Sequence, residues 1–169
     1  MRRLLSSLAV VGLLAAPEAQ AQLQCLSAPD RTAIEVAALR SQLMVLATGC
    51  RHEEKYNAFI RKYQPDLMSN ERAIGDMFKR KYGKRGQQEH DRFSTELANA
   101  GSNAGVRLGT DFCDRNGLIF AEVMSLRSAD DLPAFAAGKD LVPPTMQMCT
   151  EVAQAPAPAK KATTVQAKR

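Results

Sequence analysis

Apolar residues in the central part of this chain repeat at the spacing of a helix. Tyr56, Phe59, Ile60 and Tyr63 lie at positions i, i+3, i+4 and i+7, which is the pattern of a helix with one buried face. The strict alternation of apolar and polar residues that marks a half-buried strand is nearly absent, and residues with high helix propensity dominate. The pattern therefore predicts an all-α domain.

Turn and capping residues divide this domain into five or six helices. Ser27 with Asp30, and later Ser128 with Asp131, have the spacing of an N-terminal capping box. The glycine-rich run 101–105 is predicted to be a turn whose glycines also allow tight packing. The predicted helices cover about 29–48, 53–63, 66–82, 87–100, 104–127 and 128–137. Residues 43–47 are apolar almost all round, so the first helix is expected at the centre of the bundle.

The N-terminus has the order of a secretory signal peptide. A basic start, Met1 to Arg3, precedes an apolar run over 4–16 and a small-residue cleavage site ending at Ala21. We expect cleavage of residues 1–21 and a periplasmic or secreted product. Lipidation of Cys25 is an alternative, but Gln24 does not fit the small residue expected before a lipidated cysteine. No later stretch is expected to span a membrane.

The positive charge of the chain is unevenly distributed. The whole chain has a formal net charge of +5, yet residues 22–151, the predicted helical domain, carry basic and acidic residues in equal number. Residues 152–169 contain Lys160, Lys161, Lys168 and Arg169, no acidic residue, and alternating Ala and Pro. This composition predicts a disordered basic tail. The tail could be a solubilising terminus or could attract an anionic partner.

Four cysteines, Cys25, Cys50, Cys113 and Cys149, predict structural disulfides in an oxidising compartment. An intact first helix of roughly 28 Å, at about 1.5 Å per residue, keeps Cys25 too far from Cys50 for a bond. Two pairings remain, and we prefer Cys50 with Cys113 and Cys25 with Cys149. No C-x-x-C motif is present, and the spacings match no zinc or haem-attachment pattern.

The sharpest local charge feature is the run from Lys79 to Arg85. It holds five basic residues in seven positions: Lys79, Arg80, Lys81, Lys84 and Arg85, with Tyr82 among them. This run could bind an anionic ligand, with Tyr82 stacking on a ring of that ligand. It could equally be a solvated helix end, since basic residues favour the last turn of a helix.

Other candidate chemistry is weak. His52 and His90 are the only histidines, and neither has a second histidine four residues away, so both are expected on helix surfaces. Asp130 and Asp131 lie at a predicted helix start, where acidic residues are favoured. There is no G-x-S-x-G motif. We expect no catalytic residue, metal site or cofactor.

The sequence does not identify a biochemical activity. The leading hypothesis is a non-catalytic secreted or periplasmic interaction protein that binds an anionic envelope component or another envelope protein. One alternative is an enzyme acting on cell-wall or other envelope material, which would need a deep pocket holding an acid. A second alternative is a chaperone or inhibitor, which would need a large exposed apolar patch.

Overall fold

Every regular element of the computed structural model, which describes residues 26–144, is helical. The α-helices are α1 (Ala28–Cys50), α2 (Glu53–Lys62), α3 (Gln64–Tyr82), α4 (Gly86–Leu108), α5 (Asp111–Asn116), α6 (Leu118–Met124) and α7 (Leu132–Gly138). Short 3₁₀ turns cover Gly83–Arg85 and Ala129–Asp131. The predicted all-α, disulfide-linked bundle is confirmed. The predicted signal peptide, the predicted tail, Cys25 and Cys149 lie outside the described residues.

Helix α1 is the central helix of the bundle. It packs against α2, α3, α4, α5 and α7, and Leu39, Leu43 and Leu46 are fully buried. By length and mean hydropathy alone, α1 is a candidate membrane span, which is weak evidence because the core helix of a folded domain meets the same criteria. The expectation that no stretch after the signal peptide spans a membrane stays a prediction. More than half of its most apolar window is buried in the bundle, as in the core helix of a folded domain.

The buried side chains form two clusters, and α1 contributes to both. The first core cluster includes Leu43, Phe59, Tyr63, Phe112 and Val123, and so joins α1 to α2, α5 and α6. The second core cluster joins α1 to α3 and α4, and its members are Leu26, Ala33, Ile34, Ala37, Ala38, Ile74, Met77, Phe78, Phe93 and Leu97. The two clusters place α3 and α4 on one part of α1 and the short C-terminal helices on another.

The predicted turn at residues 101–105 is wrong, because these residues continue α4. A side chain at Gly101 would place its Cβ 3.0 Å from Gln42 Oε1 and 3.2 Å from Val45 Cγ2. This glycine therefore serves the predicted tight packing, here between α4 and α1, without ending the helix. The helix ends at Gly109, whose φ of +56° is a conformation that favours glycine.

The single helix predicted over 104–127 is also wrong. Its first residues belong to α4, and the remainder forms α5 and α6, which meet at Gly117. A Cβ at Gly117 would lie 2.8 Å from the carbonyl oxygen of Cys113, so the chain approaches itself too closely there for a side chain. The predicted capping residues are confirmed: Ser27 accepts from the Asp30 amide, and Ser128 with Asp131 forms a capping box.

A disulfide joins Cys50, at the end of α1, to Cys113 in α5, with the two Cα atoms 5.6 Å apart. This is the pair preferred from the sequence. A disulfide is consistent with an extracytoplasmic location, where such bonds persist.

Candidate functional site

The basic run predicted from the sequence forms the corner between α3 and α4. Lys79, Arg80 and Lys81 occupy the last turn of α3, and Lys84 and Arg85 lie in the 3₁₀ turn that follows. We call these five residues the basic corner. All five are exposed. The C-terminal end of α3 stabilises cations in its last turn, so the helix itself favours this placement.

Two glycines give the corner its shape. Gly83 ends α3 with a φ of +57°, in a region that side chains rarely adopt. Gly86 begins α4 and is buried against the last turns of α3, where a Cβ would lie 2.9 Å from the Cα of Lys79. The chain can therefore reverse within a few residues and hold the basic side chains on a short, well-packed connection.

The five cations differ in their surroundings. Arg80 donates to the Asp30 carboxylate of α1 over 2.7 Å. Partial burial lowers the pKa of Lys81, and the charge of Asp30 opposes this shift. Within residues 26–144, Lys79, Lys84 and Arg85 form no ion pair. These three side chains are the part of the corner best able to meet an external anion.

Tyr82 is part of the packing of the α3–α4 hairpin. Its ring is half-buried and stacks on Phe78 at 5.8 Å between centroids, with 20° between the planes. Phe78 in turn stacks on His90 at 5.3 Å and packs against Phe93. This row of rings supports the corner from inside. The stacking of Tyr82 on a ligand stays a prediction.

Both histidines were expected to be solvated on helix surfaces, but in the structure both are partly buried. The His90 side chain is only 12% exposed, and its Nε2 lies 3.3 Å from Glu71 Oε1. His52 is half-buried, with its ring edge-on to Phe120 at 6.0 Å. Each side chain packs against an aromatic ring that the local sequence pattern does not identify. No cluster of three metal-ligating side chains occurs in the described part of the chain.

Glu71 links three helices through its two carboxylate oxygens. Oε1 faces His90 of α4, and Oε2 accepts from Arg40 of α1 over 3.0 Å. We call this arrangement the Glu71 clamp. Sequence reasoning missed it because its members are far apart in the chain and none belongs to a motif. In the sequence, the only indication of this arrangement is that Arg40, Glu71 and His90 are polar residues on three predicted helices, each near the apolar face of its helix.

The clamp lies at the rim of a small cavity between α1, α3 and α4, with a volume of about 90 Å³. Its lining mixes apolar, hydroxyl-bearing and charged residues: Ala37, Arg40, Ser41, Met44, Tyr56, Glu71, Ile74, His90, Phe93, Ser94 and Leu97. Burial raises the pKa of Tyr56 above its ordinary value despite the opposing charge of Arg40. A larger groove of about 280 Å³ runs between α1, α4 and residues 140–144.

Exposed apolar side chains are present on several helices. Met68 on α3, Val106 on α4 and Leu118 on α6 are each more than half exposed, and Met44 and Leu108 are less so. Single exposed apolar residues are ordinary on folded proteins. By themselves they do not define a surface that would bind unfolded protein chains, as a chaperone needs.

Comparison with known proteins finds no match: no family model, no curated protein and no solved structure matches this chain. The functional argument therefore depends on the residues and their geometry.

Proposed function

We propose that this chain is a non-catalytic binding protein of the periplasm or the extracellular space, and that its basic corner binds an anionic component of the cell envelope. The observation that supports this most is the exposure of Lys79, Lys84 and Arg85 without an ion-pair partner in residues 26–144. Residues 22–151 contain basic and acidic residues in equal number, so outside the corner acidic residues are in excess. The corner is thus a local concentration of positive charge.

The geometry favours a compact anionic group over an extended polyanion. The corner is confined to one helix end and one turn, while a neutral domain offers no continuous basic surface. Arg80 is already engaged by Asp30, so it would add less to binding than its exposed neighbours. Attraction between exposed charges is screened by salt, with a Debye length of about 10 Å at about 0.1 M and about 3 Å at about 1 M.

The two alternative functions lack a supporting observation. The cavity beside Glu71 is far smaller than the roughly 300–1,000 Å³ of ordinary ligand pockets, and both oxygens of this acid already face a basic partner. A general acid would need a carboxyl that is free to exchange its proton with a substrate. Among the described residues, the exposed large apolar side chains lie on four different helices, so they offer little basis for a chaperone surface.

The proposal is tested by removing charge from the corner. We expect the mature wild-type protein to sediment with vesicles containing phosphatidylglycerol but not with zwitterionic vesicles, and to dissociate as salt rises from about 0.1 M to about 1 M. The triple variant K79Q/K84Q/R85Q should bind roughly a hundredfold more weakly, at about 1 kcal/mol for each basic residue near an anionic surface.

A variant with the same loss of charge elsewhere provides the control. Lys55, Arg61 and Arg127 are exposed and form no ion pair within the described residues, so K55Q/R61Q/R127Q removes three equivalent charges. This control should bind nearly as well as the wild type. An equal loss of vesicle binding in both variants would show that net charge, and not the basic corner, determines binding. Retained binding in the corner variant, with residues 152–169 also deleted, would contradict the proposal.

A further inference from the structure

A second space on the described surface approaches the size of an ordinary ligand pocket. It is the groove between α1, α4 and residues 140–144, which we call the α1–α4 groove. Its volume of about 280 Å³ is close to the lower end of the roughly 300–1,000 Å³ that such pockets occupy. This size suits a ligand no larger than a short peptide.

The apolar part of the α1–α4 groove is held in place by the core. Ala38 and Leu97 are buried members of the second core cluster, and Phe112 is a buried member of the first. Leu141, which also lines the groove, packs against both clusters. Because packing within the domain fixes these side chains, the apolar surface is formed before a ligand arrives, and a ligand with apolar groups would remove that surface from water.

Two opposite charges accompany this apolar surface. Arg107, in the last turn of α4, and Asp140, in the turn that follows α7, both line the groove and are both exposed. Neither forms an ion pair within residues 26–144. Lys139, beside Asp140, is already paired with Glu122. The groove therefore has one cation and one anion available to a ligand.

The α1–α4 groove also contains an amide. Gln42 is half-buried and lies where Gly101 brings α4 close to α1, with its Oε1 3.0 Å from a hypothetical Cβ at Gly101. An amide side chain can both donate to and accept from a peptide group. The groove thus combines apolar side chains, an amide and one charge of each sign.

We propose that the α1–α4 groove is a binding site for a short peptide with free termini and apolar side chains. The carboxylate of the peptide pairs with Arg107 and its amino group pairs with Asp140. Its apolar side chains pack on Leu97, Phe112 and Leu141. A short peptide complements all of these features in one molecule, whereas an anion or a cation of the same size would leave one charge of the groove unpaired. The site is separate from the basic corner, and the inference does not depend on the proposed function.

Three dipeptide probes that differ in charge test the site: leucyl-leucine, its N-acetyl form, which lacks the cation, and its C-terminal amide, which lacks the anion. Each is titrated into the ¹⁵N-labelled mature protein, and the amide signals of Ala104, Leu141 and Val142 are followed. Leucyl-leucine should shift these signals saturably, with a dissociation constant on the order of millimolar for so small a ligand. Each blocked form should bind roughly three- to fivefold more weakly, because it loses one exposed ion pair.

Substitutions of the two charges assign each end of the peptide. R107Q should weaken binding of leucyl-leucine and of its N-acetyl form, but should leave binding of the C-terminal amide unchanged. D140N should have the reverse pattern, and asparagine tolerates the φ of +48° at this position. R127Q removes an exposed arginine outside the groove that forms no ion pair within the described residues, so it should bind all three probes as the wild type does. Because the three substituted side chains are exposed, the variants should melt at the wild-type temperature.

The proposal is overturned by shifts that do not saturate, by equal binding of the three dipeptides, or by equal losses of affinity in R107Q and R127Q. Two other occupants of the groove are detected without a ligand. Nuclear Overhauser contacts from residues 145–151 to Ala104 or Leu141 would show that the chain's own continuation after Pro144 fills the groove. Changes of the same amide signals on dilution, with a change in sedimentation coefficient, would show that a second copy fills it. Either result would overturn the peptide site.

Discussion

Gly86 illustrates how one residue without a side chain shapes the candidate site. It brings the start of α4 against the backbone of Lys79 and Phe78, with distances of 2.9–3.0 Å from a hypothetical Cβ. The neighbouring atoms belong to the main chain, so they cannot move aside as a flexible side chain could. Gly75, within α3, has no atom within 4 Å of its hypothetical Cβ. Substitution of glycine by alanine is therefore expected to have opposite effects on stability at these two positions.

We expect G86A to destabilise the protein by roughly 1–3 kcal/mol, because the added methyl group overpacks the α3–α4 corner. G75A should instead be neutral or stabilising by up to about 1 kcal/mol, because alanine is favoured over glycine inside a helix. Urea unfolding of both variants measures the difference. A G86A protein as stable as the wild type would show that the corner can open, which would weaken the case for a pre-organised basic site.

Residues of the candidate sites differ in how far the sequence could reveal them. The basic corner was visible because its charges are contiguous in the chain and end at a glycine. The Glu71 clamp was not visible, because it depends on which turns of three helices face one another. Helical periodicity assigns residues to a face, but it does not assign the rotation of one helix relative to another.

At the level of helices, the sequence pattern predicted the positions of α1, α2 and α3 to within a few residues, the apolar face that includes Phe59 and Tyr63, and the central place of α1. The errors came at glycines further along the chain. A glycine-rich segment has the same composition whether it forms a turn or a close helix contact, and only the neighbouring helix decides. At Gly101 that neighbour is α1, so the helix continues; at Gly109 a positive φ ends it.

Helix α6 depends on tertiary contacts for its stability. It contains seven residues, too few to be stable alone. The buried hydroxyl of Tyr63, just after α2, donates to the carbonyl oxygen of Val123, and Lys62 Nζ donates to the carbonyls of Met124 and Leu126. Two adjacent side chains at the end of α2 therefore satisfy carbonyl groups at the end of α6.

We expect Y63F to lower the free energy of unfolding by about 1–2 kcal/mol, since the Val123 carbonyl would lose its buried donor. Y56F is the matched control, because Tyr56 is only half-buried, and it should cost less than about 0.5 kcal/mol. Denaturant unfolding followed by circular dichroism gives both values. Equal losses of stability in the two variants would show that the hydrogen bond from Tyr63 to the Val123 carbonyl does not stabilise α6.

For the whole molecule, the disulfide and the two core clusters show which parts of the chain are brought together. The bond from Cys50 to Cys113 fixes α5 to the end of α1, and a bridge across such a long loop stabilises by roughly 3–5 kcal/mol through the unfolded chain. The length of α1 excluded a bond from Cys25 to Cys50, which is an argument available from the sequence. The choice between the remaining pairings needed the packing of α5 on α1, which the sequence does not contain.

The second predicted bridge, Cys25 to Cys149, lies outside the described residues and stays a prediction, and the described residues next to each cysteine pack on one cluster. Leu26 is buried in the second core cluster, and Leu141 and Val142 pack against the same cluster. Cys149 follows Pro144 by five residues, a reach of at most about 17 Å at roughly 3.5 Å per residue. Because Cys50 and Cys113 are already joined, these are also the two cysteines left to pair.

We therefore expect natively exported protein to begin at Gln22 and to contain two disulfides. Intact mass after alkylation without reduction should show no alkyl group, and non-reducing peptide mapping should recover a fragment in which Cys25 is linked to Cys149. The proposed periplasmic or secreted location would supply the oxidising conditions that this bond needs. Alkylation of either cysteine would contradict the pairing and leave the chain ends joined only by packing. A lipid on Cys25 would also contradict it, and would place the basic corner on a membrane-anchored protein, where an anionic lipid surface would be its nearest partner.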